Sequence, residues 1–143
     1  VVRWHIVAMF APSIFTGFLI KRFGAQTIAV SGLVIIIGAA IGAAAGLSGV
    51  HFYGALIILG IGWNFGFIGG TAMLDAAVSD DEKAAVQGAN DTIIALASTI
   101  CAFAAGMVIA NFGWVVLAAL SGCIVVVTLA ALALDRAVPA KVV

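Results

Sequence analysis

Charge is scarce in this sequence, and the scarcity excludes a soluble globular domain. Charged residues make up 8% of the 143 residues, whereas a soluble domain carries about 25%. Six basic and six acidic residues balance to a formal net charge of zero. Because nucleic-acid binding needs a basic surface, no nucleic-acid partner is predicted.

Cysteine and the residue clusters of catalysis are also scarce. The two cysteines, Cys101 and Cys123, each lie inside an apolar run, where a thiol is typically a small buried hydrophobic group. Their spacing predicts neither a disulfide nor a metal site. No Ser-His or His-Glu-x-x-His constellation occurs, so the sequence predicts neither an enzyme nor a cofactor.

Apolar residues, in contrast, account for 65% of the chain. They form five runs, each near the length of about 20 residues that a helix needs to cross a bilayer. We therefore predict an all-α protein of a cytoplasmic membrane, with residues 1–143 as a single membrane domain in contact with lipid. Because the sequence begins with valine rather than methionine, we interpret it as a fragment of a longer protein. The five predicted spans are 4–20, 27–47, 52–77, 86–111 and 114–134.

The basic residues predict the orientation of these spans. Five alternating spans place five of the six basic residues on one side, and only Arg3 falls on the other. Since Lys and Arg collect on the cytoplasmic side, the C-terminus is expected in the cytoplasm. The five residues are Lys21, Arg22, Lys83, Arg136 and Lys141.

Glycine and proline indicate how the spans are shaped and packed. Pro12 removes a backbone hydrogen bond inside the first span, so a kink is expected there. The second span contains Gly38-x-x-x-Gly42-x-x-x-Gly46, a pattern that lets another helix approach closely. Packing within the same protein is the favoured interpretation of this stripe, and homodimerisation is the alternative.

Polar residues are concentrated in the first, third and fourth spans, which we therefore expect to line a cavity while the second and fifth face lipid. An unpaired amide in hydrocarbon is costly, so Asn64 is expected to face protein. Two interpretations remain open for it, a structural hydrogen bond between helices and a contact with solute. Asp91 is predicted to lie near the membrane surface, and this position favours a role in gating or in pairing with a loop over a role in proton coupling. The candidate cavity residues are Ser13, Thr16, Asn64, Thr71 and Ser98.

The first basic turn resembles a motif of the major facilitator superfamily, a Gly, a basic pair and a second Gly between two helices. Gly17, Arg22 and Gly24 match, whereas Lys21 stands where the family has an acidic residue. The loop that begins with the capping-box pattern Ser79-x-x-Glu82, and the turn at 111–114, are also similar to that family. The resemblance implies the C-terminal half of a twelve-helix fold, from the eighth helix to the twelfth.

The same resemblance implies a secondary transporter that moves a small solute by alternating access, with the missing N-terminal half of the chain as its partner. The alternative is a structural or assembly subunit without transport activity. In the family, the basic loop residue pairs with an acidic residue at the end of a later helix, which here predicts an Arg22–Asp75 pair. The start of the fourth span is expected to meet the equivalent loop of the missing half. The candidate gating residues are Gly17, Lys21, Arg22, Gly24, Asp75, Gln87, Asn90 and Asp91.

Overall fold

The computed structural model describes residues 2–46 and 48–137, and within these ranges the regular structure is α-helical. The helix ends agree with the predicted spans within three residues, except that the predicted end at 47 lies outside the described residues. Lys141, used to predict the orientation, lies outside them too. The helices are α1 (Val2–Phe10), α2 (Ser13–Phe23), α3 (Ala25–Ala45), α4 (Gly49–Ala76) and α5 (Lys83–Ala137).

The first predicted span is two helices, because Pro12 interrupts it as expected. Proline has no backbone N–H to continue the helix, and α1 and α2 meet at an angle of 40°. The interruption leaves the carbonyl of Met9 without its usual partner in the helix, and a side chain of α4 binds that oxygen instead. The kink is therefore stabilised by tertiary contacts as well as caused by local chemistry.

Gly24 ends α2 and begins α3, as the sequence predicts. Its φ of +86° lies in the region that favours glycine, and its N–H donates to the carbonyl of Ile20 at 2.8 Å. Lys21 and Arg22 occupy the last turn of α2, where cations face the negative end of the helix dipole.

Helix α5 is divided by Gly113, whose φ of +80° and ψ of 178° are not helical. We call residues 83–112 the first arm and residues 114–137 the second arm. Ile94 of the first arm and Thr128 of the second line the same groove, so the arms form a hairpin. The predicted turn at 111–113 is thus shorter than expected, since one glycine reverses the chain.

Helices α3 and α4 pack through glycines, but not through the predicted stripe. A Cβ placed on Gly32 would lie 2.3 Å from the backbone nitrogen of Gly66 and 2.7 Å from the carbonyl oxygen of Gly62. Gly38 and Gly42, in contrast, have no such neighbour within 4 Å. Helices α3 and α4 thus meet nearer the start of α3, and packing of another helix against Gly38 and Gly42 stays a prediction.

The contacts give an antiparallel order to the helices. Near the start of α3, Ala29 lies against Gly69 of α4, whereas Gly46 at its end lies against His51 near the start of α4. The second arm runs back along α3, with the indole N–H of Trp114 donating to the Ala43 carbonyl at 3.0 Å. The basic turn at 21–22, the end of α4 and the start of α5 therefore share one end of the bundle.

Three helices are long and apolar enough to cross a membrane, or four when α1 and α2 are counted as one bent span. Counting the two arms of α5 separately gives five antiparallel segments, the number that the sequence predicts. The first arm packs least, and every residue from 91 to 104 is exposed. This arm therefore presents an apolar surface that no described part of the chain covers.

Candidate functional site

The most buried polar groups of the described chain are Thr16 and Asn64, with 0% and 1% of their surfaces exposed. Thr16 Oγ1 lies 2.7 Å from Asn64 Oδ1. Asn64 Nδ2 donates to the Met9 carbonyl and to Ser13 Oγ, both at 2.7 Å. One amide on α4 thus holds α1, α2 and the break between them.

The chemistry of the amide fixes its orientation. A carbonyl only accepts, so the group that faces Met9 must be the NH₂ of Asn64. The oxygen of Asn64 then faces the Thr16 hydroxyl, whose single proton is shared with the Pro12 carbonyl at 2.9 Å. Both amide hydrogens are used, so this arrangement joins helices and leaves no amide hydrogen for a solute.

Asn64 therefore points into the protein, toward the first predicted span, as its cost in hydrocarbon requires. Of the two interpretations that the sequence left open, the geometry favours the hydrogen bond between helices. A role for Ser13, Thr16 or Asn64 in contacting solute stays a prediction, and it would require these bonds to exchange.

A second polar region lies where α4 faces the hairpin of α5. One groove of about 470 Å³ is lined by Thr71 and Asn90 among apolar residues. A second, of about 410 Å³, extends from it toward Trp63 and α3. The two grooves adjoin, because both are lined by Gly66, Phe67, Gly70, Met73 and Ile94. We call the two together the α4–α5 groove.

Two polar side chains of the α4–α5 groove, Thr71 and Asn90, have no hydrogen-bond partners among the described residues, whereas Thr128 donates to the Ile124 carbonyl at 2.9 Å. Thr16, Thr92 and Thr99 donate their hydroxyls to a carbonyl four residues earlier, but no such bond forms at Thr71. The Asn90 amide likewise makes no hydrogen bond within the described chain. Every fully buried side-chain N or O atom of the described chain has a partner, so unpartnered groups such as these are not fully buried. These groups are thus accessible in the groove and available to another molecule.

Aromatic rings form the other end of this groove. The rings of Trp63 and Phe67 are stacked, with centroids 4.7 Å apart and planes 8° apart. Phe10 meets Trp63 edge to face at 6.4 Å. Trp63 is half-buried, and its indole N–H has no hydrogen-bond partner among the described residues. The groove therefore combines flat apolar faces with free donors and acceptors.

Charged residues meet at the end of the bundle that carries the basic turn. Lys83 Nζ lies 3.5 Å from an oxygen of Asp75 and 2.8 Å from an oxygen of Asp80. Arg22 makes no ion pair within the described chain, and its guanidinium lies 5.4 Å from the centre of the Phe23 ring. Asp75 thus binds Lys83 in this structure, and the Arg22–Asp75 pair stays a prediction.

The loop before α5 contains one half of the predicted capping box, because the Glu82 carboxylate binds Ser79 while the Glu82 N–H donates to the Ser79 backbone carbonyl at 3.0 Å and not to its hydroxyl. The Glu82 carboxylate accepts hydrogen bonds from the Ser79 hydroxyl and, at 3.4 Å, from the Ser79 backbone N–H. The hydroxyl bond and then the backbone bond lower the pKa of the Glu82 carboxyl. The Glu82 carboxylate thus tethers the loop in front of the first arm.

The remaining candidates are separated from these clusters. Gln87 donates to the Thr71 carbonyl at 3.4 Å, so its amide has a partner within this half, and its contact with the missing half stays a prediction. Asp91 and Ser98 are exposed on the first arm. Their gating and cavity roles, with those of Gly17, Lys21 and Gly24, stay predictions.

Three residues that matter in the structure were missed from the sequence. Trp63 and Phe67 are four residues apart and so share a helix face, a signal that is common in ordinary packing. In the sequence analysis Lys83 serves only to predict the orientation, although it is the basic residue nearest in sequence to Asp75. These three residues are recognised by the neighbours that the structure places beside them, and not by their residue types.

Comparison with known proteins gives three relatives, while no family model and no solved structure matches. Riboflavin transporter RfnT of Brucella anthropi is 50% identical over 113 residues, which are 79% of this chain and 28% of that protein. The uncharacterized MFS-type transporters YdeG and YddS of Bacillus subtilis are 36% and 37% identical, over 85% and 87% of this chain. The matches cover 29% of the length of each Bacillus protein. The chain thus spans less than a third of the relatives it matches.

Proposed function

Because this chain belongs to the major facilitator superfamily, we propose that it is part of a secondary active transporter that carries riboflavin. The assignment of riboflavin as the solute is supported by the 50% identity to the riboflavin transporter of Brucella anthropi. All three relatives are named as transporters. The activity belongs to a longer protein, since the matches span 28–29% of each relative.

The fold supports the assignment to helices eight to twelve of the twelve-helix fold. Five antiparallel segments correspond to one six-helix half of that fold without the first helix of the half. The exposed surface of the first arm, at 91–104, is where that first helix and the other half would pack. The N-terminal half is thus the partner, and a subunit without transport is the alternative outcome of the test below.

Alternating access supplies the mechanism, in which two halves rock about a site near the membrane midplane. The Asn64 contacts keep α1, α2 and α4 together while this half moves as one body. The half-buried groups at the basic end, Asp75 and Lys83, are positioned to exchange partners as the halves separate. With the basic residues on the cytoplasmic side, the C-terminus lies in the cytoplasm of a multi-pass cytoplasmic-membrane protein.

The test is uptake of radiolabelled riboflavin into proteoliposomes that contain the full-length protein. We expect saturable uptake that excess unlabelled riboflavin abolishes and that vesicles without protein do not show. Uptake of a different solute only would overturn the riboflavin assignment. No uptake from a panel of solutes by correctly folded protein would favour the subunit.

A further inference from the structure

The α4–α5 groove separates aromatic from polar chemistry along one helix. Trp63, Phe67 and Thr71 follow one another at intervals of four residues, so they form a row on one face of α4. The stacked rings occupy one end of the row, and the unpartnered hydroxyl of Thr71 occupies the other. Asn90 extends the polar end across to α5.

We propose that this row binds a planar heteroaromatic solute, with the ring system on Trp63 and Phe67 and a polar chain against Thr71 and Asn90. The inference rests on the proposed function, which supplies a solute with a flat ring system and a polyhydroxyl chain. It adds to that function the residues that recognise each part.

The depth of the aromatic end fits a transport site. Trp63 is the fifteenth of the 28 residues of α4, so about 20 Å of helix lies on either side of it. Sites of this superfamily lie near the bilayer midplane. Thr71 lies two turns farther toward the end that carries Asp75, and the solute would therefore lie along the helix.

The size and the bonding capacity of the groove fit as well. Its two parts, of about 410 and 470 Å³, lie within the range of small-molecule sites, about 300–1,000 Å³. Polar groups inside a membrane protein require partners or water, and those of Thr71 and Asn90 have none in the described chain. The free indole N–H of Trp63 adds a donor that a ring carbonyl can accept.

Two ligands distinguish the aromatic end of the proposed site from its polar end. Riboflavin carries the ring system and the chain, whereas lumiflavin carries the same ring system with a methyl group in place of the chain. Binding of each to the full-length protein in nanodiscs is measured by the change in ligand fluorescence. Trp63→Leu removes the stacking surface, and we expect it to weaken both ligands about tenfold. Thr71→Val and Asn90→Leu are expected to weaken riboflavin binding several-fold and to leave lumiflavin binding unchanged.

Trp4→Leu is the matched control, because Trp4 is 60% exposed near the start of α1 and does not line the groove. Wild-type affinity in Trp63→Leu, with riboflavin still transported, overturns this site and leaves the proposed function standing. Equal losses of both ligands in Thr71→Val would overturn the assignment of the polar end. If the wild-type protein neither binds nor transports riboflavin, the proposed solute and this site's ligand both fail.

Discussion

Thr16 Oγ1 and Asn64 Oδ1 lie 2.7 Å apart in the most buried polar contact of the described chain. The contact joins two helices at the level where Pro12 interrupts the first span. Since the break exposes a backbone carbonyl, a polar side chain at this depth offsets the cost of leaving that carbonyl unpaired. The kink and the buried amide thus depend on each other, because the kink leaves a carbonyl unpaired and the amide binds that carbonyl.

Asn64→Leu is therefore expected to destabilise the full-length protein. The substitution keeps the branched shape of the side chain but leaves the Met9 carbonyl without its partner and the Thr16 hydroxyl with the Pro12 carbonyl alone, at a cost of about 1–3 kcal/mol for an unsatisfied buried group. Thermal unfolding in detergent measures the loss. Thr16→Val should lower stability by a smaller amount, and Thr99→Val, whose hydroxyl bonds only within its own exposed helix face, should not. Equal midpoints for the two Thr variants would contradict the buried role.

The contact between α3 and α4 allows a second comparison between identical substitutions. Gly32→Ala would place its Cβ 2.3 Å from the backbone of α4, whereas Gly38→Ala adds a methyl group in open space. Overpacking costs about 1–3 kcal/mol, and backbone neighbours cannot move aside as a side chain can. We expect Gly32→Ala to lower the unfolding midpoint and the yield, with Gly38→Ala near wild type or above it. The reverse order would show that α3 packs through the stripe that the sequence predicts.

The sequence predicted the elements better than their contacts. Hydrophobic length, Pro12 and Gly24 are local signals, so the spans and the first turn could be read directly. The choice of Gly32 over Gly38 depends on where two helices cross, which no local pattern contains. The aromatic row was missed for the same reason, because Trp63 and Phe67 become a site only once α5 faces them.

The capping contact before α5 predicts a specific pH dependence. Hydrogen bonds from Ser79 lower the pKa of Glu82 in the folded protein, so the ionised carboxylate stabilises the fold. That contribution is complete above the unfolded pKa, about 4.3, and is lost as the pH falls through the lowered folded value. The difference in unfolding midpoint between wild type and Glu82→Gln should be constant near neutral pH and shrink in acid. Asp81→Asn controls for the change of charge, and a wild-type–Glu82→Gln difference that grows in acid would contradict the assignment.

The last prediction concerns the exchange of partners at Asp75. In the Asp75–Lys83 pair the Lys83 side chain is 35% exposed and that of Asp75 is 49% exposed. Exposed pairs contribute about 0–1 kcal/mol, so Asp75 can leave Lys83 at small cost. Arg22, at the same end of the bundle, offers a planar fork that suits a carboxylate. The two cations would then stabilise different conformations of the transporter.

Removing one cation should therefore favour the conformation that the other stabilises. Lys83→Met and Arg22→Gln are expected to shift the equilibrium in opposite directions, and Asp75→Asn, which removes both pairs, should fall between them. A cysteine at Gly88, which is exposed and has open space beyond its Cα, reports the change through its labelling rate with a water-soluble maleimide. Arg3→Gln is the control for loss of a positive charge, because Arg3 lies near the start of α1, at the end of the bundle opposite to the basic turn. Shifts in the same direction for both cation variants would show that Asp75 is a fixed structural contact, because a carboxylate that chooses between two cations must respond oppositely to the loss of each.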